Sequence, residues 1–231
     1  MKKITIKELV NFRRRSDRTK KSFAYKLKNR EEKNKIETDV KDETGGGDYW
    51  ITSTSCIYNV FKNENDELYD SKIDELRSRF DNTEDKRIQS MYQRNIDILT
   101  SFKDFGFNDL KPSDDLKYQK VPQNYKILTI DNFPLFVNPS LLFSYDMNGK
   151  NKLGALWLIP QLNGFKKPEL GMFCEMLYRF LIKNYSDTYQ ISEDYCIAID
   201  TYNAQKVSYT DLLKGDIPFL IDKTLDEIKE L

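Results

Sequence analysis

Between Leu153 and Ile159 the chain reads Leu-Gly-Ala-Leu-Trp-Leu-Ile, nearly all apolar. A strand without polar alternation is one covered on both faces. Shortly after it, Pro168 to Tyr185 has helical periodicity. Leu170, Phe173, Cys174, Leu177, Leu181 and Tyr185 form one stripe, while Met172, Met176 and Phe180 add a second apolar side. Such a helix is largely buried. Pro168 suits its first position, and Glu169 suits the dipole at its start. This pair closes a longer stretch, Lys126 to Tyr185, around which the chain is organised.

That stretch reads strand, turn, strand, turn, strand, helix. Ile127, Leu128 and Ile130 form a short buried strand, turned by Asp131-Asn132-Phe133-Pro134. A second strand runs from Leu135 to Tyr145, interrupted at Asn138-Pro139, because proline cannot donate to a ladder. Asp146-Met147-Asn148-Gly149 makes a hairpin turn into Leu153–Ile159; Asn-Gly is a strong hairpin signal. Tyr195 to Thr201 is a fourth strand, and Tyr202 to Gln205 turns it into Lys206 to Tyr209. Ile217, Leu220, Ile221, Leu225 and Ile228 supply a C-terminal helix.

The N-terminal part is helical. Thr5 and Glu8 have capping-box spacing, and a first helix is expected from Ile6 to Arg15. Ser16-Asp17 breaks it, and a second helix is expected from Ser22 to Lys35. Residues 31–47 are polar and end in Gly45-Gly46-Gly47. They read as a loop but not a phosphate-binding one, since no Gly-Lys-Ser/Thr follows. Ser53 suits the cap of a helix through Ile57, Val60 and Phe61; another helix is expected from Leu68 to Phe80. Asp81-Asn82-Thr83 suits the cap of a third, striped by Ile88, Met91, Tyr92, Ile96, Leu99 and Phe102. Residues 104–124, with Pro112, Ser113-Asp114-Asp115 and Pro122, read as a connecting loop. The fold class is therefore α+β: a helical N-terminal region, then a small mixed sheet flanked by helices. Residues 1–47 form a basic arm and loop, and residues 48–231 form the body.

Composition excludes several chemistries. Histidine is absent, which removes Ser-His-Asp and Cys-His nucleophile systems and the common zinc geometries. Catalysis would need carboxylates with a hard metal ion, or Lys, Tyr or Ser. Cys56, Cys174 and Cys196 lie in apolar surroundings without a CxxC pair, as buried thiols in a reducing cytoplasm would. No run of 18 apolar residues spans a membrane, and no apolar signal region follows the basic N-terminus. Net charge is zero but unevenly spread: residues 1–35 hold 14 Lys/Arg against 4 Asp/Glu, and the remainder holds 23 against 33. A basic arm on an acidic body either binds nucleic acid or docks on its own body.

From Thr83 onward the order is helix, three antiparallel-capable strands, helix, strand, return strand. Over residues 83–210 this is similar to the core of the PD-(D/E)xK nuclease superfamily, its RecB-like branch in particular. The resemblance implies a restriction-endonuclease-like core. In that family a Pro-Asp or equivalent acid and an acid-x-Lys motif on the third strand hold Mg²⁺, which polarises the phosphate and activates water. This chain departs from the motif. Pro139-Ser140 stands where Pro-Asp would, and Leu156-Trp157-Leu158, or Ala155-Leu156-Trp157 in a neighbouring register, stands where acid-x-Lys would. An apolar triplet cannot hold a divalent cation.

The acids left as catalytic candidates are Asp131, Asp146, Glu169, Glu175 and Asp200, each with a structural alternative: Asp131 and Asp146 as turn residues, Glu169 as a helix-start acid, Asp200 as a strand end, and Glu175 as an exposed helix position or a buried pair. For phosphate contact the candidates are Arg13, Arg14, Arg15, Arg18, Lys20 and Lys21, the densest positive charge in the chain. Three functions are expected from these features. The first is a non-catalytic nuclease-like module in bacterial defence or a mobile element. It would use no cofactor, bind nucleic acid through the arm and bind a protein partner through the body. The second is a Mg²⁺-dependent phosphodiesterase with displaced acids. The third is a protein-interaction subunit with aromatic anchors among Tyr49, Trp50, Tyr58, Phe61 and Tyr69.

Overall fold

The Asn148-Gly149 turn sets the central hairpin. Both residues have positive φ, 56° and 74°, as a two-residue turn matched to strand twist requires. Asp146 Oδ1 accepts the Gly149 N–H at 3.1 Å. In a computed structural model of the chain, describing residues 3–30, 49–112 and 115–231, this hairpin is the middle of a five-stranded sheet.

Its strands are β5 (Leu141–Met147) and β6 (Lys150–Ile159), with β2 (Lys117–Gln119) on the outer side of β5. Helix α6 (Lys167–Tyr185) carries the chain from β6 to β7 (Gln190–Asp200), which lies parallel to β6. A parallel neighbour needs such a crossover. Strand β8 (Gln205–Ser208) returns antiparallel, giving the order β2-β5-β6-β7-β8.

Period-two alternation divides the sheet between two cores. Leu141, Phe143, Tyr145, Leu156, Leu158, Ile197 and Ile199 pack toward three helices, α3 (Ile51–Asn63), α4 (Glu67–Asp81) and α5 (Lys86–Phe105). Leu142, Ala155, Cys196, Ala198 and Val207 pack toward α6. The small side chains there let α6 approach until the Cys174 thiol donates to the Cys196 carbonyl at 3.1 Å. The same core takes in α1 (Ile6–Arg13), α2 (Asp17–Lys28) and α8 (Ile221–Glu230). The described part of the basic arm is thus built into the main core, through Ile4, Ile6, Leu9, Val10, Phe12, Ala24 and Leu27.

The fold is mixed α/β, as expected, but several elements differ in detail. The expected strand from Leu135 to Tyr145 is two strands in two sheets. β4 (Phe133–Phe136) joins β1 (Ile4–Thr5) and β3 (Ile127–Ile130) in a separate sheet, order β1-β4-β3. Asn138-Pro139 is where the chain changes sheet, because proline ends one ladder before the next begins. The three strands read from the sequence therefore do not lie side by side. The third antiparallel strand is β2, inside the segment expected to be a loop; three polar residues are too few to show a period. Asp131 and Asn132 alone make the turn before β4, both at positive φ.

Helix ends also shift. The Thr5–Glu8 capping box forms, but α1 stops at Arg13. Helix α2 starts at Asp17 behind Ser16, not at Ser22, and its expected end at Lys35, like the 31–47 loop with Gly45–Gly47, lies outside the described residues. Ser113 and Asp114 lie outside them too. Helix α3 begins before Ser53, whose N–H donates to the buried Asn95 amide at 3.1 Å. Asp85, not Asp81 to Thr83, caps α5 by accepting the Arg87 and Ile88 N–H groups. A short helix, α7 (Tyr209–Leu213), opens on a Ser208/Asp211 capping box that the sequence reading treats as the end of a strand. No helix among the described residues is long and apolar enough to cross a membrane.

Candidate functional site

The two stretches that the resemblance compares with the nuclease motif, Pro139-Ser140 and Leu156-Trp157-Leu158, meet in the structure. Ser140 precedes β5, and its N–H donates to the Leu156 carbonyl at 2.9 Å. The Leu158 N–H donates to the Ser140 hydroxyl oxygen at 3.0 Å. Leu156 and Leu158 are buried in the core shared with α3, α4 and α5, and Trp157 faces the other layer, edge-on to Phe173 at 5.4 Å. Above this junction is a shallow depression of about 400 Å³ bounded by Thr54, Ser55, Tyr58, Asn59, Ser140 and Leu158. Hydroxyls and an amide line it, with no carboxylate and no lysine. It can bind by hydrogen bonds but has no anionic oxygen ligand for a hard cation.

The candidate acids are each engaged by other groups. Asp200, fully buried at the end of β7, accepts the Phe165 N–H at 2.9 Å, the Tyr202 N–H at 3.0 Å and the Asn203 amide at 2.9 Å. It thereby ties the loop before α6 to the β7–β8 turn. Gly164 has φ +63°, and a Cβ there would lie 2.2 Å from Asp200 Oδ2 and 1.9 Å from Asn203 Nδ2. Glu169 closes a capping box by accepting the Lys166 N–H at 2.8 Å. Burial would raise its carboxyl, but the Arg14 hydrogen bonds, the Lys166 N–H and both positive charges outweigh burial and hold it below the ordinary range.

Glu175 accepts the Leu220 and Ile221 N–H groups and pairs with Arg179 at 2.6 Å. Burial dominates there and pushes its carboxyl up, with Arg179 and the two N–H groups offsetting only part. Asp131 is an exposed turn residue paired with Lys229 at 3.0 Å. Asp146, expected in the hairpin turn, is an exposed residue near the end of β5, paired with Asn151 and accepting the Gly149 N–H of the turn. No group of three or more metal-ligating side chains gathers among the described residues. The chain matches no protein-family model, no curated protein and no solved structure.

The basic cluster divides into an inner and an outer half. Arg14 clamps both Glu169 oxygens at 2.6 Å and donates to the Gly164 carbonyl at 3.2 Å. Arg13 donates to Thr224, and Lys20 pairs with Glu227 at 2.6 Å. Lys7 adds a bond to the Pro160 carbonyl at 2.5 Å. These four fasten the arm to the loop after β6 and to α8. Arg15, Arg18 and Lys21 are exposed; Arg15 rests on the Phe23 ring at 4.0 Å. The sequence shows the charge but not this division. Arg14 and Glu169 are 155 positions apart, and only the fold brings them together.

Proposed function

We propose that the chain is a non-catalytic, nuclease-like module that binds nucleic acid and a protein partner, in bacterial defence or a mobile element. The run α5, β2, β5, β6, α6, β7, β8 supports the family resemblance. With β3 and β4 set aside as an excursion into the second sheet between β2 and β5, it is helix, three antiparallel strands, helix, strand, return strand, with β2 in the place of the first strand. The carrying observation is the junction of Ser140 with Leu156 and Leu158. There the Ser140 N–H donates to the Leu156 carbonyl and the Leu158 N–H to the Ser140 hydroxyl oxygen, at the strand positions where the family would hold Mg²⁺ between acids.

Phosphate contact falls to the outer cations Arg15, Arg18 and Lys21, while Arg13, Arg14 and Lys20 hold the arm in place. The acidic remainder of the chain is the surface offered to a protein partner. A salt titration of DNA and RNA binding tests the nucleic-acid part. Three phosphate contacts give a log–log slope of about −2 to −3, which flattens when Arg15, Arg18 and Lys21 are changed to Gln. Absence of affinity for every nucleic acid at low salt overturns that part of the reading.

A further inference from the structure

The face of α2 turned away from the core carries more than charge. Successive residues of a helix are about 100° apart. Ala24 and Leu27 point into the core, with Lys20 beside them pairing Glu227. The opposite side presents Arg18, Lys21, Ser22, Tyr25 and Lys26, all exposed. Tyr25 is 66% exposed, the most exposed large apolar side chain among the described residues. Lys21 is one turn before it and Arg18 a further turn back, so both cations flank the ring on its own side of the helix. Arg15 continues the basic track from the preceding turn. Against these four cations the face carries one acid, Asp17. Among the described residues Arg18, Lys21 and Lys26 have no ion pair, and the Tyr25 ring packs on no other aromatic ring.

We infer that this face of α2 binds single-stranded nucleic acid, with Tyr25 as the stacking platform for an unpaired base and Arg18, Lys21 and Lys26 on the flanking phosphates. The inference rests on the nucleic-acid reading above and adds the strandedness and the residue that reads it. Cations alone attract duplex and single strand alike, since both present phosphates. An exposed ring among them discriminates, because only an unpaired base has a face free to stack. Charge complementarity names the partner as polyanionic, and the ring names it as one with accessible bases.

Fluorescence anisotropy with a labelled single strand and its duplex, as DNA and as RNA at low salt, tests this on the full chain. The single strand binds more tightly than the duplex. Tyr25→Ala weakens single-strand binding about tenfold and leaves duplex binding unchanged, while Tyr25→Phe stays within about twofold of wild type. Arg18→Gln with Lys21→Gln weakens both and flattens the single-strand salt slope by about 1.4. Because Tyr25 is exposed, far-UV circular dichroism and the melting temperature do not move, which separates lost stacking from lost fold.

If Tyr25→Ala binds like wild type while the double Gln variant does not, stacking is overturned and phosphate binding stands. If no oligonucleotide binds, both readings fall. Binding to phosphatidylserine vesicles in place of oligonucleotides makes the face a membrane surface and overturns the inference.

Discussion

Asp200 shows how one side chain can look catalytic and be structural. A buried carboxylate at the carboxyl end of a parallel strand invites a mechanistic role, yet its two oxygens serve three donors. Removing it leaves the buried Phe165 N–H without an acceptor and releases the partly buried Tyr202 and Asn203 donors of the β7–β8 turn. Asp200→Ala is expected to cost about 2–4 kcal/mol, read as a lower urea midpoint.

Glu169 makes a second prediction with a definite sign. Its folded pKa lies below the ordinary 4.5, so its stabilisation is present above that pH and is lost as the pH falls through the folded value. Glu169→Gln should therefore be less stable than wild type at neutral pH, by about 1–2 kcal/mol. That is less than for a wholly buried pair, because Arg14 is 37% exposed. The gap between the two proteins should narrow as the pH is lowered below 4.5. Glu175 runs the other way. Its folded pKa is raised, so its contribution is present at acid pH and lost as the pH rises through the folded value. A gap between wild type and Glu169→Gln that does not change between pH 7 and pH 3 would mean that the Arg14 pair contributes no net stability.

At the scale of elements, what the sequence discloses is what repeats often enough to show a period. Helices α4, α5, α6 and α8 and the β5–β6 hairpin are long or carry a two-residue turn signal, and they stand close to where their patterns place them. Strand β2 is three residues, and its order comes from pairing with β5, which no local pattern records. The split of β4 from β5 is marked by Pro139, but proline says only that a ladder stops, not that the next belongs to another sheet. The candidate site divides in the same way. The apolar triplet at Leu156–Leu158 is plain in the sequence, whereas the bonding of Leu158 to Ser140 and of Arg14 to Glu169 is long-range. Helix α2 tests whether the basic arm belongs to the body. Leu27 is wholly buried in the shared core, so Leu27→Ala should lower the single unfolding transition of the whole chain by about 2–4 kcal/mol. Two separate transitions by circular dichroism would mean that the arm folds apart from the body.

Across the whole molecule, charge and architecture point the same way. About ten excess positive charges sit in the first 35 residues and as many excess negative charges in the rest, and the inner cations of the arm meet carboxylates of the body at Glu169 and Glu227. What remains facing solvent is a narrower basic and aromatic track, and the junction of Ser140 with Leu156 and Leu158 is closed by hydrogen bonds and leucine. The most direct test is a denaturing gel of end-labelled single- and double-stranded DNA and RNA after incubation with the chain in Mg²⁺ or Mn²⁺. Every strand should be recovered at full length at every metal concentration. Shortened products that appear with the wild-type chain and vanish with Asp131→Ala would contradict the account, because a carboxylate outside the motif positions would then be doing the cutting.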